Sequence, residues 1–258
     1  MTTTERLLSL AAGVCPETGP ADFVASCATA GWDACGIWFD AATWNDAVAR
    51  EVRRRLDDTG LIALDMEPIF VTPNGDHGEA VIEAAATVGA RNLLVVSRGV
   101  DDQRFADRFT ELCDLAAVHG IGCSLEFMAF MSVRTLPQAL TVLDRVDRPN
   151  AAVLVDNLHL ARTGGTVADV AAITPNRLPY LQLCDAPSGP PDDLIVEALD
   201  GRLLLGAGEL PVAELVEVLP PHTALSMEVR SAALRSAFPD PVDRAREVLT
   251  TTLHHLQR

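Results

Sequence analysis

The sequence alternates eight times between a short apolar run and a longer amphipathic stretch, and this rhythm limits the fold more than any other feature. Each run has the length of a buried strand, and each stretch is long enough for a helix. The runs cover residues 7–11, 34–39, 61–66, 92–97, 122–127, 151–156, 179–184 and 223–228. Repeated strand–helix units predict a parallel sheet covered by helices.

The stretches between the runs carry the usual signals of helices. In 42–59, Val52 and Leu56 lie four positions apart, with Arg and Asp on the other faces, while 77–89 and 102–119 end at or beside a glycine. No Gly-x-Gly-x-x-Gly follows the first run, so an open dinucleotide-binding sheet is disfavoured. Because a closed barrel needs about 250 residues, we predict a single (β/α)8 TIM barrel of the α/β class, with the whole chain as one domain.

The charges exclude several classes of protein. The net charge is −16, and all 20 basic residues are Arg. Nucleic acids and anionic membranes need clustered cations, so neither is an expected partner. Schiff-base enzymes, pyridoxal-phosphate enzymes and P-loop proteins need a lysine, and the chain has none.

Cysteine spacing and the first residues bear on the cellular compartment. The six cysteines are scattered without a Cys-x-x-Cys, and several fall inside apolar runs, as reduced cysteines do. The amino-terminal residues 1–6 lack the basic stretch and the apolar core of a secretion signal. These features predict a reduced, cytoplasmic protein.

Four polar residues stand at the ends of the last four predicted strands: Glu126, Asp156, Gln182 and Glu228. The strand period of two turns them toward the interior of a barrel. Three carboxylates on neighbouring strands would repel one another, and a divalent cation would relieve that repulsion. The alternative is a network of ion pairs at the rim that uses arginines such as Arg162 and Arg230.

Further residues are expected at the mouth of the barrel. Asp65 and Glu67 share one face of the third strand. Arg230 lies two residues beyond Glu228 on the same face, where it could hold a substrate carboxylate or phosphate. Apolar residues such as Trp38 also lie at strand ends, and if they line the pocket the substrate is less polar than a free sugar.

The motifs at these strand ends resemble those of the xylose isomerase-like barrels, the sugar phosphate isomerase/epimerase superfamily. Glu126 stands in Ser-Leu-Glu-Phe, Asp156 and His159 form Asp-x-x-His, and Glu228 stands in Ser-Met-Glu-Val-Arg. The resemblance covers nearly the whole chain and is densest over 121–230. One departure is Gln182-Leu-Cys-Asp, where the commonest family pattern is His-x-x-Asp.

The resemblance implies a metal site and an acid–base pair. Glu126, Asp156, Gln182 and Glu228 would be the metal ligands, and Glu126 and Glu228 would also exchange protons with the substrate. An all-oxygen set favours Mn²⁺ or Mg²⁺ over Zn²⁺. His159, Arg230 and Glu67 are the expected substrate contacts.

Three functions stay open at this point. The first is a metal-dependent isomerase or epimerase that acts on a sugar or polyol through an enediolate. The second is a lyase or dehydratase that acts on a keto-cyclitol, a dehydroshikimate-like acid or a keto-glycoside. The third is an inactive barrel that binds a small molecule. The substrate would carry a carbonyl beside a hydroxyl, and since barrels of this family often pair, a homodimer is possible.

Overall fold

A computed structural model describes residues 6–256 of the chain, and within them eight parallel strands close into one barrel in the order β1 to β8. The strands are β1 Leu8–Leu10, β2 Ala34–Trp38, β3 Ile62–Val71, β4 Asn92–Ser97, β5 Gly122–Glu126, β6 Ala151–Asp156, β7 Tyr180–Leu183 and β8 Ala224–Met227. Each of the eight overlaps one of the predicted apolar runs. The predicted (β/α)8 barrel is therefore confirmed.

Helices follow the strands and form the outer layer. They are α1 Pro20–Ala30, α2 Asp46–Thr59, α3 Gly78–Val88, α4 Asp102–Ala117, α5 Leu136–Val146, α6 Asn157–Arg162, α7 Val167–Ala171, α8 Leu194–Asp200, α9 Val212–Val218, α10 Ala232–Ala237 and α11 Pro241–His255. The segment 186–210, between β7 and α9, contains the short helix α8.

The local chemistry of α2 shows why the helices begin and end where they do. The Asn45 side chain accepts hydrogen bonds from the backbone N–H groups of Ala47 and Val48, which satisfies two free donors at the helix start. The helix ends at Gly60, whose φ of 72° is a left-handed conformation that suits glycine. Val52 and Leu56 are buried against the barrel, as their spacing predicts.

The apolar core has two layers. The larger layer fills the space between strands and helices and includes Leu125, Phe105 and Phe109. A smaller cluster lies inside the barrel and includes Leu94, Leu154 and Tyr180. The interior of the barrel is therefore packed with side chains, and a substrate would bind above them, at the strand ends.

Strand β3 is longer than the sequence predicts, because it runs on to Val71. Its pairing with β2 shifts between Cys35 and Gly36. Beyond this shift Asp65 and Glu67 face the same point: a Cβ on Gly36 would lie 2.9 Å from Asp65 Oδ1 and 3.2 Å from Glu67 Oε1. Glycine at position 36 thus leaves space for both carboxyl groups.

The last helix closes the structure against the first. Within α11, the Arg244 guanidinium donates to the carbonyl oxygens of Val14, Phe238 and Pro239. The indole N–H of Trp32, just after α1, donates to the carbonyl oxygen of Ala245 at 3.0 Å. The two ends of the described chain are therefore joined by buried polar contacts as well as by apolar packing.

All six cysteines are buried and unpaired, as expected for a reduced protein. No helix among the described residues is long and apolar enough to span a membrane. The amino-terminal residues 1–5 that entered the prediction of compartment lie outside the described residues.

Candidate active site

A cavity of about 250 Å³ opens at the carboxyl ends of the strands. Its floor is charged, and its walls are largely apolar, with Trp38, Phe70, Met128 and Phe130 among them. The ionisable lining residues are Glu67, Arg98, Glu126, His159, Arg202, Glu228 and Arg230. Five of the predicted site residues, namely Glu67, Glu126, His159, Glu228 and Arg230, therefore line one cavity.

Asp156 and His159 are positioned by the start of α6. Asp156 is the last residue of β6, and its Oδ1 accepts hydrogen bonds from the backbone N–H groups of Leu158 and His159 at 2.7 and 3.3 Å. This cap fixes the first turn of the helix. It brings His159 Nε2 to 3.9 Å from Glu126 Oε1 on the neighbouring strand β5. The Asp-x-x-His spacing thus builds one corner of the site.

Gln182 lies beside Asp156 in the sheet, where the two residues are register partners. Its side chain is fully buried, and neither its amide oxygen nor its amide nitrogen has a hydrogen-bond partner among the described residues. Buried polar groups are nearly always satisfied. An unpaired amide beside carboxylates is consistent with a metal ligand.

Arg202 lies between Asp156 and Glu228, and no pattern in the sequence pointed to it. Its Nη1 lies 2.6 Å from Asp156 Oδ2, and its Nη2 lies 3.4 Å from Glu228 Oε2. The side chain is 2% exposed. An arginine network does exist, but the arginines proposed for it were wrong: Arg162 pairs instead with Glu197 at 2.6 Å, and Arg230 forms no ion pair in the described chain.

The loop after β7 places Arg202 through its backbone. The residue after it, Leu203, exchanges two backbone hydrogen bonds with Asp185, and the Arg202 N–H donates to the carbonyl oxygen of Arg230. The Asp185 side chain accepts from the N–H groups of Gly206 and Leu210. Asp185 of the strand-seven motif therefore stabilises the loop. Arg202 lies outside every strand, so the strand-end pattern that identified the carboxylates could not identify it. Its place in the site depends on how the loop folds.

Charge pairing separates the pKa values of the carboxyl groups. Burial alone would raise the pKa of Asp156, but the Arg202 guanidinium lowers it to about 2. Burial raises the pKa of Glu228 to about 7, although Arg202 opposes this rise. Glu126 has its pKa raised well above the ordinary value by burial and by the charges of Glu228 and Asp156. Burial lowers the pKa of His159 to about 4, so its imidazole is neutral.

Glu67 stands on the opposite side of the floor. Its Oε1 accepts a hydrogen bond from the backbone N–H of Ala12 at 3.1 Å. Burial raises the pKa of Glu67 well above the ordinary value, and the charges of Asp65 and Glu228 add to this rise. A protonated Glu67 can donate a hydrogen bond into the cavity.

Two arginines stand at the mouth of the cavity, each over an aromatic ring. The guanidinium carbon of Arg98 lies 5.6 Å from the centre of the Phe70 ring, and that of Arg230 lies 5.9 Å from the Trp38 ring. Within residues 6–256 neither side chain forms an ion pair, and Arg230 Nε is buried without a partner. Trp38 is 39% exposed. These groups can receive an anion that enters the cavity.

The residues present fit a divalent cation. One ligand atom each from Glu126, Asp156 and His159 lies within 4.8 Å of the others, which makes a possible metal-binding triad. Glu228 is not part of this triad; it is joined to Asp156 through Arg202. The unpaired amide oxygen of Gln182 adds a neutral donor. Carboxylate, amide and imidazole donors are all common ligands of divalent metals.

The chain belongs to the xylose isomerase-like TIM barrel family, whose model matches residues 24–251. It is 27% identical over 261 residues to the 3-dehydroshikimate dehydratase of Pseudomonas aeruginosa, a match that covers 90% of this chain and 40% of that protein. The chain thus spans about two fifths of the length of that curated relative.

Solved structures share the fold. A xylose isomerase-like TIM barrel/4-hydroxyphenylpyruvate dioxygenase fusion protein is similar with a TM-score of 0.84 and 20% identity, over 98% of this chain and 43% of that one. The IolI protein, solved with a bound zinc atom, has a TM-score of 0.83 and 15% identity, over 97% of this chain and 98% of that one. At these identities the likeness shows the fold alone.

Proposed function

We propose that this chain is a metal-dependent dehydratase of a small cyclic keto-acid. The observation that carries the proposal is the composition of the cavity, which combines a carboxylate floor with two arginines at its mouth that form no ion pair in the described chain. The floor suits proton transfer at a carbon next to a carbonyl. The arginines suit a substrate that carries a carboxylate.

The arginines at the cavity mouth would determine the orientation of a bound substrate. Arg98 and Arg230 present guanidinium groups whose fork geometry matches a carboxylate. The apolar walls, among them Phe70 and Met128, would cover the face of a ring. A cyclic acid would thus lie with its carboxylate outward and its carbonyl toward Glu126 and Glu228.

Glu126, Asp156, Gln182 and Glu228 would hold the metal, with His159 close to Glu126. Three carboxylates and an amide favour Mn²⁺ or Mg²⁺ over Zn²⁺, although His159 supplies an imidazole that the ligand set predicted from the sequence lacked. When bound, the ion would act as a Lewis acid on the substrate carbonyl.

Two glutamates would move the protons. One of Glu126 and Glu228 removes the proton from the carbon next to the carbonyl, and the other delivers a proton to a hydroxyl on the following carbon. The hydroxyl then leaves as water, so one C–H and one C–O bond break and a carbon–carbon double bond forms. The neutral His159 imidazole donates a hydrogen bond to a substrate oxygen.

The dehydratase from Pseudomonas aeruginosa suggests the first substrate to test. 3-Dehydroshikimate is a cyclic acid with a ketone and with a hydroxyl on the second carbon from it. It therefore offers a carbonyl to the glutamates at the cavity floor and a carboxylate to the arginines at the cavity mouth. We would incubate the protein with 3-dehydroshikimate and Mn²⁺ and follow the ultraviolet absorbance of the aromatic product. We expect turnover by the natural sequence and none by Glu126→Gln.

Matched arginine variants test the binding of the carboxylate. Arg98→Gln and Arg230→Gln should each raise KM by about tenfold, because each loses a charge-assisted hydrogen bond. Arg50→Gln, which removes an exposed arginine outside the cavity, should leave KM unchanged. An equal KM in all four proteins would contradict the proposed anion site, and the absence of turnover would contradict this substrate.

A second candidate is an epimerase, and the pair of buried glutamates favours it. If Glu126 and Glu228 stand on opposite faces of the reacting carbon, one can remove its proton and the other can return a proton to the opposite face. A keto-sugar whose hydroxyl on the following carbon is not protonated would keep that hydroxyl and follow this course. Incubation of D-fructose with the protein in deuterated water would reveal it as exchange of a carbon-bound proton. Binding without turnover or exchange would leave the third function, a ligand-binding barrel.

A further inference from the structure

Arg202 contacts two of the proposed metal ligands and leaves the others free. It binds one oxygen of Asp156 and one oxygen of Glu228. Glu126 and the amide of Gln182 are outside its contacts. The guanidinium therefore does not need to leave for a cation to reach Glu126, Gln182 and the second oxygen of Glu228. Asp156 Oδ1 accepts two backbone N–H groups, so Asp156 would share its oxygens between these donors and the ion.

The backbone and side chain of Arg202 are both held. Its N–H donates to the carbonyl oxygen of Arg230 at 3.0 Å, and its Nε–H donates to the carbonyl oxygen of Ala198 at 2.9 Å. The side chain is almost fully buried. A fixed positive charge is thus built into the ligand group.

The formal charges of the proposed metal ligands and of Arg202 can be added. Carboxylates must be ionised to bind a metal, so Glu126, Asp156 and Glu228 together carry three negative charges. Gln182 adds none, and His159 adds none, because an imidazole at a metal site is neutral. Arginine stays protonated in proteins, so Arg202 cancels one of the three charges. The remainder equals the charge of a divalent cation.

We propose that Arg202 sets the net charge of the metal site and thereby makes it selective for a divalent over a trivalent cation. The inference rests on the proposed metal site and adds a specificity-determining residue to it. Arg202 acts through Asp156 and Glu228, so it is a positioning residue as well as a counter-charge. Without it, the site would carry one more negative charge, and a trivalent ion would gain more from that charge than a divalent ion.

The test compares Mn²⁺ with Tb³⁺, because both ions accept oxygen ligands and differ in charge. Metal-free protein would be titrated with each ion by calorimetry, and the ratio of the Tb³⁺ to the Mn²⁺ association constant would be measured. In Arg202→Gln we expect this ratio to rise by about tenfold or more. Arg202→Lys keeps the charge but loses the fork, so its ratio should stay near that of the natural sequence.

Arg162→Gln is the matched control. Arg162 is also buried and ion-paired, with Glu197 at 2.6 Å, but it contacts none of the proposed ligands. Arg162→Gln should lower the stability of the fold without changing the ratio of the Tb³⁺ to the Mn²⁺ association constant. This variant therefore shows what the loss of a buried arginine does when no proposed metal ligand is affected. Circular dichroism would check that each variant is folded. If Arg202→Gln does not fold, a clear change of the ratio in Arg202→Lys overturns the proposal.

The outcomes separate this inference from the proposed function. If the natural sequence binds Mn²⁺ and the ratio is the same in Arg202→Gln, the role of Arg202 is wrong while the metal site stands. If the natural sequence binds no Mn²⁺, both the inference and the metal-dependent function are contradicted.

Discussion

Asp65 is a buried carboxyl group to which the proposed proton transfers give no role. Neither of its oxygens has a hydrogen-bond partner among the described residues. Burial raises its pKa from the ordinary 3.8 to about 6, although the Tyr180 hydroxyl nearby lowers it. The folded protein keeps this proton to a higher pH than the unfolded chain does. Stability is therefore lost as the pH rises from about 4 to about 6.

Asp65→Asn removes this titration. Between about pH 5 and about pH 8, we expect the free energy of unfolding of the variant to rise relative to the natural sequence by on the order of 1 kcal/mol. Urea unfolding at both pH values measures the difference. An equal difference at the two pH values would contradict the raised pKa of Asp65.

In helix α11, one buried side chain, Arg244, is expected to contribute several kcal/mol to the free energy of unfolding. Arg244 is buried, pairs with Glu17 at 2.7 Å and donates to three carbonyl oxygens. Arg244→Met keeps most of the volume but leaves these carbonyl oxygens without their donor. We expect a loss of about 2–4 kcal/mol in the free energy of unfolding.

Arg246→Met is the control in the same helix. Arg246 pairs with Asp243, and both side chains are at least half exposed, so the loss should be at most about 0.5 kcal/mol. Chemical unfolding of the two variants measures both values. Equal losses of unfolding free energy in the two variants would contradict the role of Arg244 in joining α11 to the loop after β1, which contains Val14 and Glu17.

The elements were predictable where a periodic pattern was present. The eight strands and the helices α2, α3 and α4 follow from apolar spacing and from glycine at helix ends. The extension of β3 to Val71 was missed, because it pairs with β4 only after a shift of register between Met66 and Ile69. Helix α8 was also missed, since it is a single short helix inside a loop rich in proline and glycine.

At the scale of the whole molecule, the chain order of the strands brought the strand-end residues together, as a barrel requires. The sequence therefore predicted Glu126, Asp156, Gln182 and Glu228 as neighbours. It could not predict Arg202, because that residue reaches the carboxylates only through the folded loop after β7. Nor could it show that Arg98 lines the same cavity as Arg230, because the two residues are far apart in the chain.

The most direct test of the account is the metal content of the whole chain. Protein stripped with a chelator and reloaded with Mn²⁺ would be measured by elemental analysis, beside Glu126→Gln and the exposed control Glu217→Gln. We expect about one Mn²⁺ per chain in the natural sequence and in the control, and a large loss in Glu126→Gln. No bound Mn²⁺ in the natural sequence, or an equal amount in all three proteins, would contradict it.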